Sequence, residues 1–378
     1  MKKIRIYKAI PAYYGYLTSF YLLHPELKTS SFSKIYDSLK NDSFQWLFSW
    51  GKYNNDPDVE VFETISNDYY LQNAWAGGKY TEDSSWLIQI VLEQIKEIKP
   101  DVCLLYSPET FNSQVVEKIR EIDNHMVIGG YDGMDRKNAE LFKAYDFVIT
   151  CSDYISAFYK NNNIPTYPMC FGFDEGVLDN IKSDDERKHN VSFSGSLFPG
   201  IHDTRFDLVS YLSQHTDVTI SSEYAYSSKG LLSVKKIHRQ LNQIKPKDWK
   251  GYFRVFFNNK GPLYGLNMYQ FLRDSKIVLN AHGDRIHFAA NIRLFEATGV
   301  GACLLTDWKE NIGDLFEPGR EVLTYQSKEE ALDIIRYCEM NPVYSQTIAA
   351  NGQKRAFDSY SQRKTVPEVI GYVKSLMS

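Results

Sequence analysis

Short apolar runs alternate with amphipathic stretches along almost the whole chain, and this alternation restricts the fold more than any other feature. The runs at 4–10, 101–106, 126–129, 146–150, 190–194, 217–220, 276–280 and 301–306 are brief and apolar, and they read as strands. Helical periodicity fills 84–98, 111–122, 152–161, 204–213, 267–274, 289–298, 328–339 and 343–357. Strand–helix–strand alternation predicts parallel sheets covered by helices on both faces, the α/β class. Nothing repeats at a fixed period of about 20–50 residues, so a solenoid or propeller is excluded.

At 378 residues the chain is too long for one compact core and suits two domains. The stretch 174–189, DEGVLDNIKSDDERKH, is charged, poor in large apolar residues and followed at once by a fresh strand. It divides the chain into a Rossmann-like N-terminal domain over 1–180 and a Rossmann-like C-terminal domain over 187–360. A last helix, from about Pro367 to Met377, is expected to bring the tail 361–378 back onto the first domain. The aromatic segment 24–83 is irregular and yields no assigned elements. Two such domains predict an intervening cleft, with ligands beyond the carboxyl ends of the strands. The loops that matter are then 11–16, 107–110, 130–135, 195–205 and 281–290.

A net charge of -4 gives no basic face for a nucleic-acid backbone. The aromatic fraction is high, with 27 tyrosines, a residue whose ring packs on a sugar or base while its hydroxyl hydrogen-bonds. None of the five cysteines stands in C-x-x-C spacing, so a reducing compartment without zinc or disulfides is expected. In MKKIRIYKAIPAYYGYL, Lys8 interrupts the apolar run and Pro11 follows it, which favours a first strand over a secretory signal. No run is long enough to span a bilayer. The expected place is the cytoplasm, free or at the inner face of the membrane.

The stretch His287–Asp307, HFAANIRLFEATGVGACLLTD, sets Asn291, Arg293 and Glu296 among Phe288, Ile292, Leu294 and Phe295. A strand ending in Asn280 precedes it, then the loop AHGDRIHF, and a helix is expected from near Ala289. A helix N-terminus attracts phosphate, and Ala289 and Ala290 leave room for close approach. His282, Arg285 and His287 offer further donors, and Glu296 about two turns in offers a carboxylate to a ribose diol. Phosphate at the tip and ribose on the flank would make a nucleotide-diphosphate site. The competing reading is an Arg293–Glu296 pair at i,i+3, worth about 0.2–0.5 kcal/mol on an exposed helix.

The pattern N-x-R-x-F-E-A-x-x-x-G-A-x-L-L-T-D, then LFEPGREVLTY and AANGQKRAFDSYSQR, resembles the C-terminal half of group-1-type glycosyltransferases, with its nearest likeness in the CgeB-like (spore-maturation-protein-like) branch. The likeness runs from about Asn190 to Arg363 and includes NVSFSGSLFPGIHDTR and DSKIVLNAHGD; PDVCLLY and YDFVITCSDYISAFYKNNNIPTYPMCFGFDE extend it more loosely into the first half. It implies a GT-B architecture, two Rossmann-like domains facing across a cleft, and glycosyl transfer from a nucleotide-sugar. By the same likeness, Glu296 corresponds to the glutamate that holds the donor ribose. Gly195 and Arg205 fall at the turn and cation facing the diphosphate, and Gly261-Pro262-Leu263-Tyr264 at the loop beside the base. Related enzymes carry a second glutamate eight positions before the first; Phe288 stands there, which leaves the donor-sugar contacts and a retaining mechanism without that support.

An inverting enzyme needs a base at the acceptor hydroxyl. Asp132, in VIGGYDGMD with Gly129, Gly130 and Gly133 around it, is the first candidate and Glu109 the second; capping of a following helix is the other reading of Asp132. Asp56-Pro57-Asp58 is formally D-x-D but contains Pro and follows no strand, so it reads as a turn. No metal-site spacing and no G-x-x-x-x-G-K-[ST] loop occur, so neither a bound metal nor another cofactor is expected. The expectation is a glycosyltransferase taking a nucleotide-diphosphate sugar to a hydroxyl on a glycan, lipid-linked or protein acceptor. The alternatives are an inactive nucleotide- or glycan-binding protein of this fold and a sugar-nucleotide epimerase.

Overall fold

The computed structural model describes residues 3–83, 85–183, 186–198, 202–223, 249–284 and 286–377, without the side chains of Trp249 and Tyr252. The chain forms two compact units, one from residues 1–171 with 362–378 and one from 172–361. The charged stretch 174–189, expected as the boundary, lies within the second unit, where the Asp174 carboxylate accepts from Gly176 N. Charge and the lack of large apolar residues mark an exposed segment, and an exposed segment need not be a linker.

The first unit holds a parallel sheet in the order β2-β1-β3-β4-β5-β6, formed by β1 (Ile4–Ile10), β2 (Val59–Ile65), β3 (Val102–Tyr106), β4 (Val127–Asp132), β5 (Phe147–Thr150) and β6 (Thr166–Pro168). Helices α1 (Tyr14–Leu23), α2 (Phe32–Asn41), α3 (Ser49–Tyr53), α4 (Tyr69–Trp75), α5 (Trp86–Ile98), α6 (Ser113–Ile122) and α7 (Asp153–Asn161) join these strands. The segment 24–83 thus supplies α2, α3, β2 and α4.

Strand β2 escapes a pattern search because Glu63 faces inward and is 6% exposed. Its partner is Lys8 of β1, itself fully buried, at 2.7 Å. Lys8 Nζ also donates to the carbonyls of Trp46 and Leu47, while Glu63 accepts from the backbone of Trp50 and Gly51. One buried ion pair therefore ties the irregular segment 46–51 to the sheet. Burial pulls the Lys8 ammonium below its usual range, and Glu63 opposes that shift. Breaking a buried pair from one side strands the other charge, at about 3–5 kcal/mol. Lys8→Met is expected to lose stability on that scale in urea unfolding; a change below about 1 kcal/mol would show that the pair does not anchor 46–51.

The second unit carries a parallel sheet in the order β11-β10-β9-β7-β8: β7 (His189–Ser196), β8 (Val218–Glu223), β9 (Ser275–Asn280), β10 (Cys303–Asp307) and β11 (Leu323–Tyr325). Its helices include α8 (Asp203–His215), α9 (Trp249–Asn258), α10 (Gly265–Arg273), α11 (Arg293–Gly299), α12 (Ile312–Leu315), α13 (Lys328–Met340) and α14 (Pro342–Tyr360). In both sheets the first strand lies between the second and third, so connections depart in opposite directions on either side of it. Such a switch point opens a crevice at the carboxyl ends of the strands. In the second unit it falls between β7 and β9.

The tail forms α15 (Gln362–Ser375), which starts upstream of Pro367 and packs against α3 within the first unit. Lys374 reaches Asp56 at 2.7 Å, and Asp56 accepts from Asp58 N, so Asp56-Pro57-Asp58 is a turn. The glycines of β4 serve packing rather than ligand approach. A Cβ at Gly129 would stand 2.1 Å from the Phe147 ring, and one at Gly130 2.7 Å from Phe142.

Candidate functional site

Helix α11 begins at Arg293, four residues later than the apolar pattern suggests. Asn311 is the cause. Its Oδ1 takes the Ala289 N–H at 2.6 Å and its amide donates to the Ala289 carbonyl, which fixes that residue outside the helix. Asn291 is bound to Asn280, donating to its Oδ1 at 2.9 Å, and Asn280 also donates to Thr306. The Ala289 N–H is therefore not open to phosphate, and Glu296 sits in the first turn rather than two turns in.

Glu296 is 1% exposed. Arg293 Nη1 lies 2.8 Å from its Oε2, and Tyr269 Oη donates to its Oε1 at 3.3 Å. The carboxylate thus has protein partners, contrary to a site filled only by ribose or solvent. The pair is also buried, unlike the exposed pair of the competing reading. Burial raises the Glu296 carboxyl above its usual range, with Arg293 and Tyr269 opposing. The pair geometry gives Glu296 Oε2 no directed hydrogen bond. The stretch ends as the chain requires: a Cβ at Gly299 would meet Phe173 at 2.2 Å, and Gly301 turns into β10 at φ +75°.

His282, just past β9, has a fully buried side chain. Its Nδ1 lies 2.7 Å from Asp307 Oδ1, and its backbone N–H donates to the same oxygen at 3.0 Å. Burial raises the Asp307 carboxyl, but His282 and Lys309 outweigh it and hold the group down at about 2. Asp307 closes β10, and its position at the carboxyl end of a strand was a signal the sequence offered. A cavity of about 530 Å³ opens here, lined among others by His282, Asp307, Lys309, Thr204 and Lys328.

Arg205 donates to the Ser196 carbonyl at 3.0 Å, at the end of β7, rather than pairing within its own helix. Burial pulls its guanidinium below the usual range, while Asp307 and Asp284 favour its charge. Asp284 accepts from the backbone of Asp203 and Thr204, so a carboxylate already caps the start of α8. Gly195 keeps the strand end slim, with its carbonyl accepting from Ser222. Tyr264 donates to Glu223 at the end of β8, at 3.3 Å. His287 is exposed, and Arg285 lies outside the described residues.

Four residues of this region hold buried polar atoms with no hydrogen-bond partner among the described residues: Arg205 Nε, His282 Nε2, Arg293 Nε and Glu296 Oε2. Native interiors rarely leave such atoms unpaired, and a cluster of them calls for a polar ligand or for solvent. Two of the four are guanidinium donors and one an imidazole, which suits an anion or a polyhydroxylated group. Among the described residues, no group of three or more His, Cys, Asp or Glu could hold a metal ion.

In the first unit, Asp132 ends β4 and is 2% exposed. It accepts from Tyr159 Oη at 2.6 Å, Arg136 Nε at 2.9 Å and Met134 N at 3.3 Å. No helix follows directly, so it closes a turn rather than capping a helix. Arg136 also reaches Glu109 at 3.1 Å, so one guanidinium links both acceptor-base candidates. Burial raises the Asp132 carboxyl, with Tyr159 and Arg136 opposing.

A family profile described as "Glycosyl transferase-like" matches residues 231–370. No curated protein sequence matches the chain. Among solved structures, Anabaena HepE in complex with UDP-glucose is similar over 98% of this chain and 99% of its own, at 14% identity and TM-score 0.61. Sucrose-phosphate synthase from Thermosynechococcus elongatus is similar over 99% of both chains, at 9% identity and TM-score 0.57. A UDP-N-acetylglucosamine 2-epimerase is similar over 99% of this chain and 96% of its own, at 11% identity and TM-score 0.52. The shared fold is GT-B, two parallel-sheet α/β domains.

Proposed function

We propose that the protein is a glycosyltransferase that moves a sugar from a nucleotide diphosphate to a hydroxyl acceptor on a glycan, lipid-linked or protein substrate. The observation that carries this reading is the set of buried polar atoms without a directed hydrogen bond on Arg205, His282, Arg293 and Glu296, at a switch point in a fold of this class. The glycosyl transferase-like profile spans three of those four residues. Fold alone does not separate transfer from epimerisation, because an epimerase shares it.

Within this reading, Arg205, Arg293 and His282 meet the diphosphate and Glu296 the ribose. Tyr264, which precedes α10 and donates to Glu223 at the end of β8, flanks the base, and Asn291 positions the loop through Asn280. Asp132 or Glu109 takes the acceptor proton. The spore-maturation-protein-like branch and a cytoplasmic place, free or at the inner membrane face, belong to the same proposal. No described helix is long and apolar enough to cross a membrane.

A thermal-shift series against UDP, GDP, dTDP, CMP and ADP tests the donor site, with UDP first because HepE was solved with UDP-glucose. A nucleotide at a hundredfold excess over its dissociation constant stabilises by about 2.7 kcal/mol. No shift with any of the five would remove the reading. Activity is expected to survive excess EDTA, since the proposed leaving group is stabilised by cationic side chains. Loss in EDTA with rescue by Mn²⁺ or Mg²⁺ would place a metal in that role.

A further inference from the structure

We propose that a pocket in the first unit, between α1, α4 and the start of α5, binds a saccharide. It encloses about 490 Å³, within the range of small-ligand sites. All of its lining residues belong to the first unit, so the inference stands whatever the second unit transfers.

Four of its lining side chains form a continuous run of ring contacts. Tyr21 and Tyr70 have centroids 4.7 Å apart, Tyr70 and Tyr69 5.5 Å, and Tyr69 and Trp86 5.6 Å. Hydrogen bonds lock two of the rings. Tyr21 Oη donates to both oxygens of buried Asp68, at 2.8 and 2.7 Å, and Asp68 caps α4 through Leu71 N. Tyr69 Oη donates to the Tyr80 carbonyl and accepts from Asn73. Tyr21 is 4% exposed and Trp86 9%, so these rings back the pocket, while half-buried Tyr69 and Tyr70 present the faces open to a ligand. Tyr69 is pinned before any ligand arrives, which lowers the entropy cost of stacking.

Helix α1, YGYLTSFYLL, is apolar on nearly every side, a pattern proper to a buried helix. Yet Tyr14 is 69% exposed and Leu22 71%, and both line this pocket. Thr18, Lys28 and Glu82 supply exposed polar groups at the same place, with Lys28 Nζ 5.5 Å from the Tyr70 ring centre. Ring faces beside a mixed set of donors and acceptors match a sugar, whose C–H faces stack while its hydroxyls hydrogen-bond. The charge balance argues against a phosphorylated ligand, because Lys28 shares the lining with two carboxyl groups, Asp68 and Glu82. It also argues against a purely apolar ligand, which would desolvate Lys28 and Glu82 without return.

The test is calorimetric titration of the intact protein, without nucleotide, against gluco-, galacto-, manno- and N-acetylglucosamine-type trisaccharides at millimolar concentration. At least one is expected to bind saturably. Tyr70→Ala should weaken it about tenfold and Tyr14→Ala severalfold, as loss of a ring face implies. Tyr14 is largely exposed, so its variant keeps the fold even if Tyr70→Ala does not. Absence of binding by all four, or equal affinity in wild type and Tyr14→Ala, overturns the proposal. Nucleotide shifts are read separately, so failure here leaves the donor-site reading standing, and the reverse.

Discussion

Glu296→Gln is expected to lower folding stability by about 3 kcal/mol, because it leaves the Arg293 guanidinium beside a neutral amide in a buried site. The amide still accepts from Tyr269, which puts the effect at the lower end of the range for broken buried pairs. Replacing both partners at once, Arg293→Met with Glu296→Leu, should recover most of the loss, since an apolar pair strands no charge. Chemical denaturation of wild type and the two variants checks this, and nucleotide affinity per folded molecule is measured on the same preparations. A loss of affinity of about tenfold or more in Glu296→Gln, with stability unchanged, would instead make Glu296 a ribose ligand with no structural duty.

His282→Ala is expected to reduce turnover about a hundredfold or more, the usual cost of removing one preorganised donor from a site of developing charge. Asp307 holds His282 Nδ1 at 2.7 Å and leaves Nε2 as the only ring nitrogen without a partner among the described residues. Asp307→Asn should therefore lower turnover as well, by loosening the contact that orients the imidazole. It should also alter stability in a pH-dependent way. The folded Asp307 carboxyl is held at about 2, against about 3.9 when unfolded, so its ionised form adds about 2.5 kcal/mol of stability above pH 4. That contribution disappears as the pH falls toward 2. Wild type and Asp307→Asn should consequently differ at neutral pH and converge in acid. A constant gap between them across pH 2–7 would show that Asp307 does not titrate through the His282 contact.

The strand–helix rhythm of the sequence determined the α/β class, and with it the places where β1, β3, β7, β9 and β10 lie. Those strands are largely buried and mostly apolar, with Lys8 in β1 and Ser192 and Ser194 in β7 as buried exceptions, and such short runs are visible without any partner. Strand β2 was not legible, because its inward position 63 is a carboxylate whose charge is balanced by Lys8 from a strand remote in sequence. Asn291, Arg293 and Glu296 could be picked out as polar residues in an apolar stretch, and Arg205 and His282 as donors near strand ends. Their partners could not, since periodicity says nothing about which side chains meet across a sheet. Asn311 delays the start of α11 from 22 residues downstream of Ala289, and Asp307 captures His282 across 25 residues. Local pattern sets which segments are helix and strand; whether Glu296 faces Arg293 and Tyr269 or open solvent is decided by burial, and burial exists only once the sheet and α10 have packed.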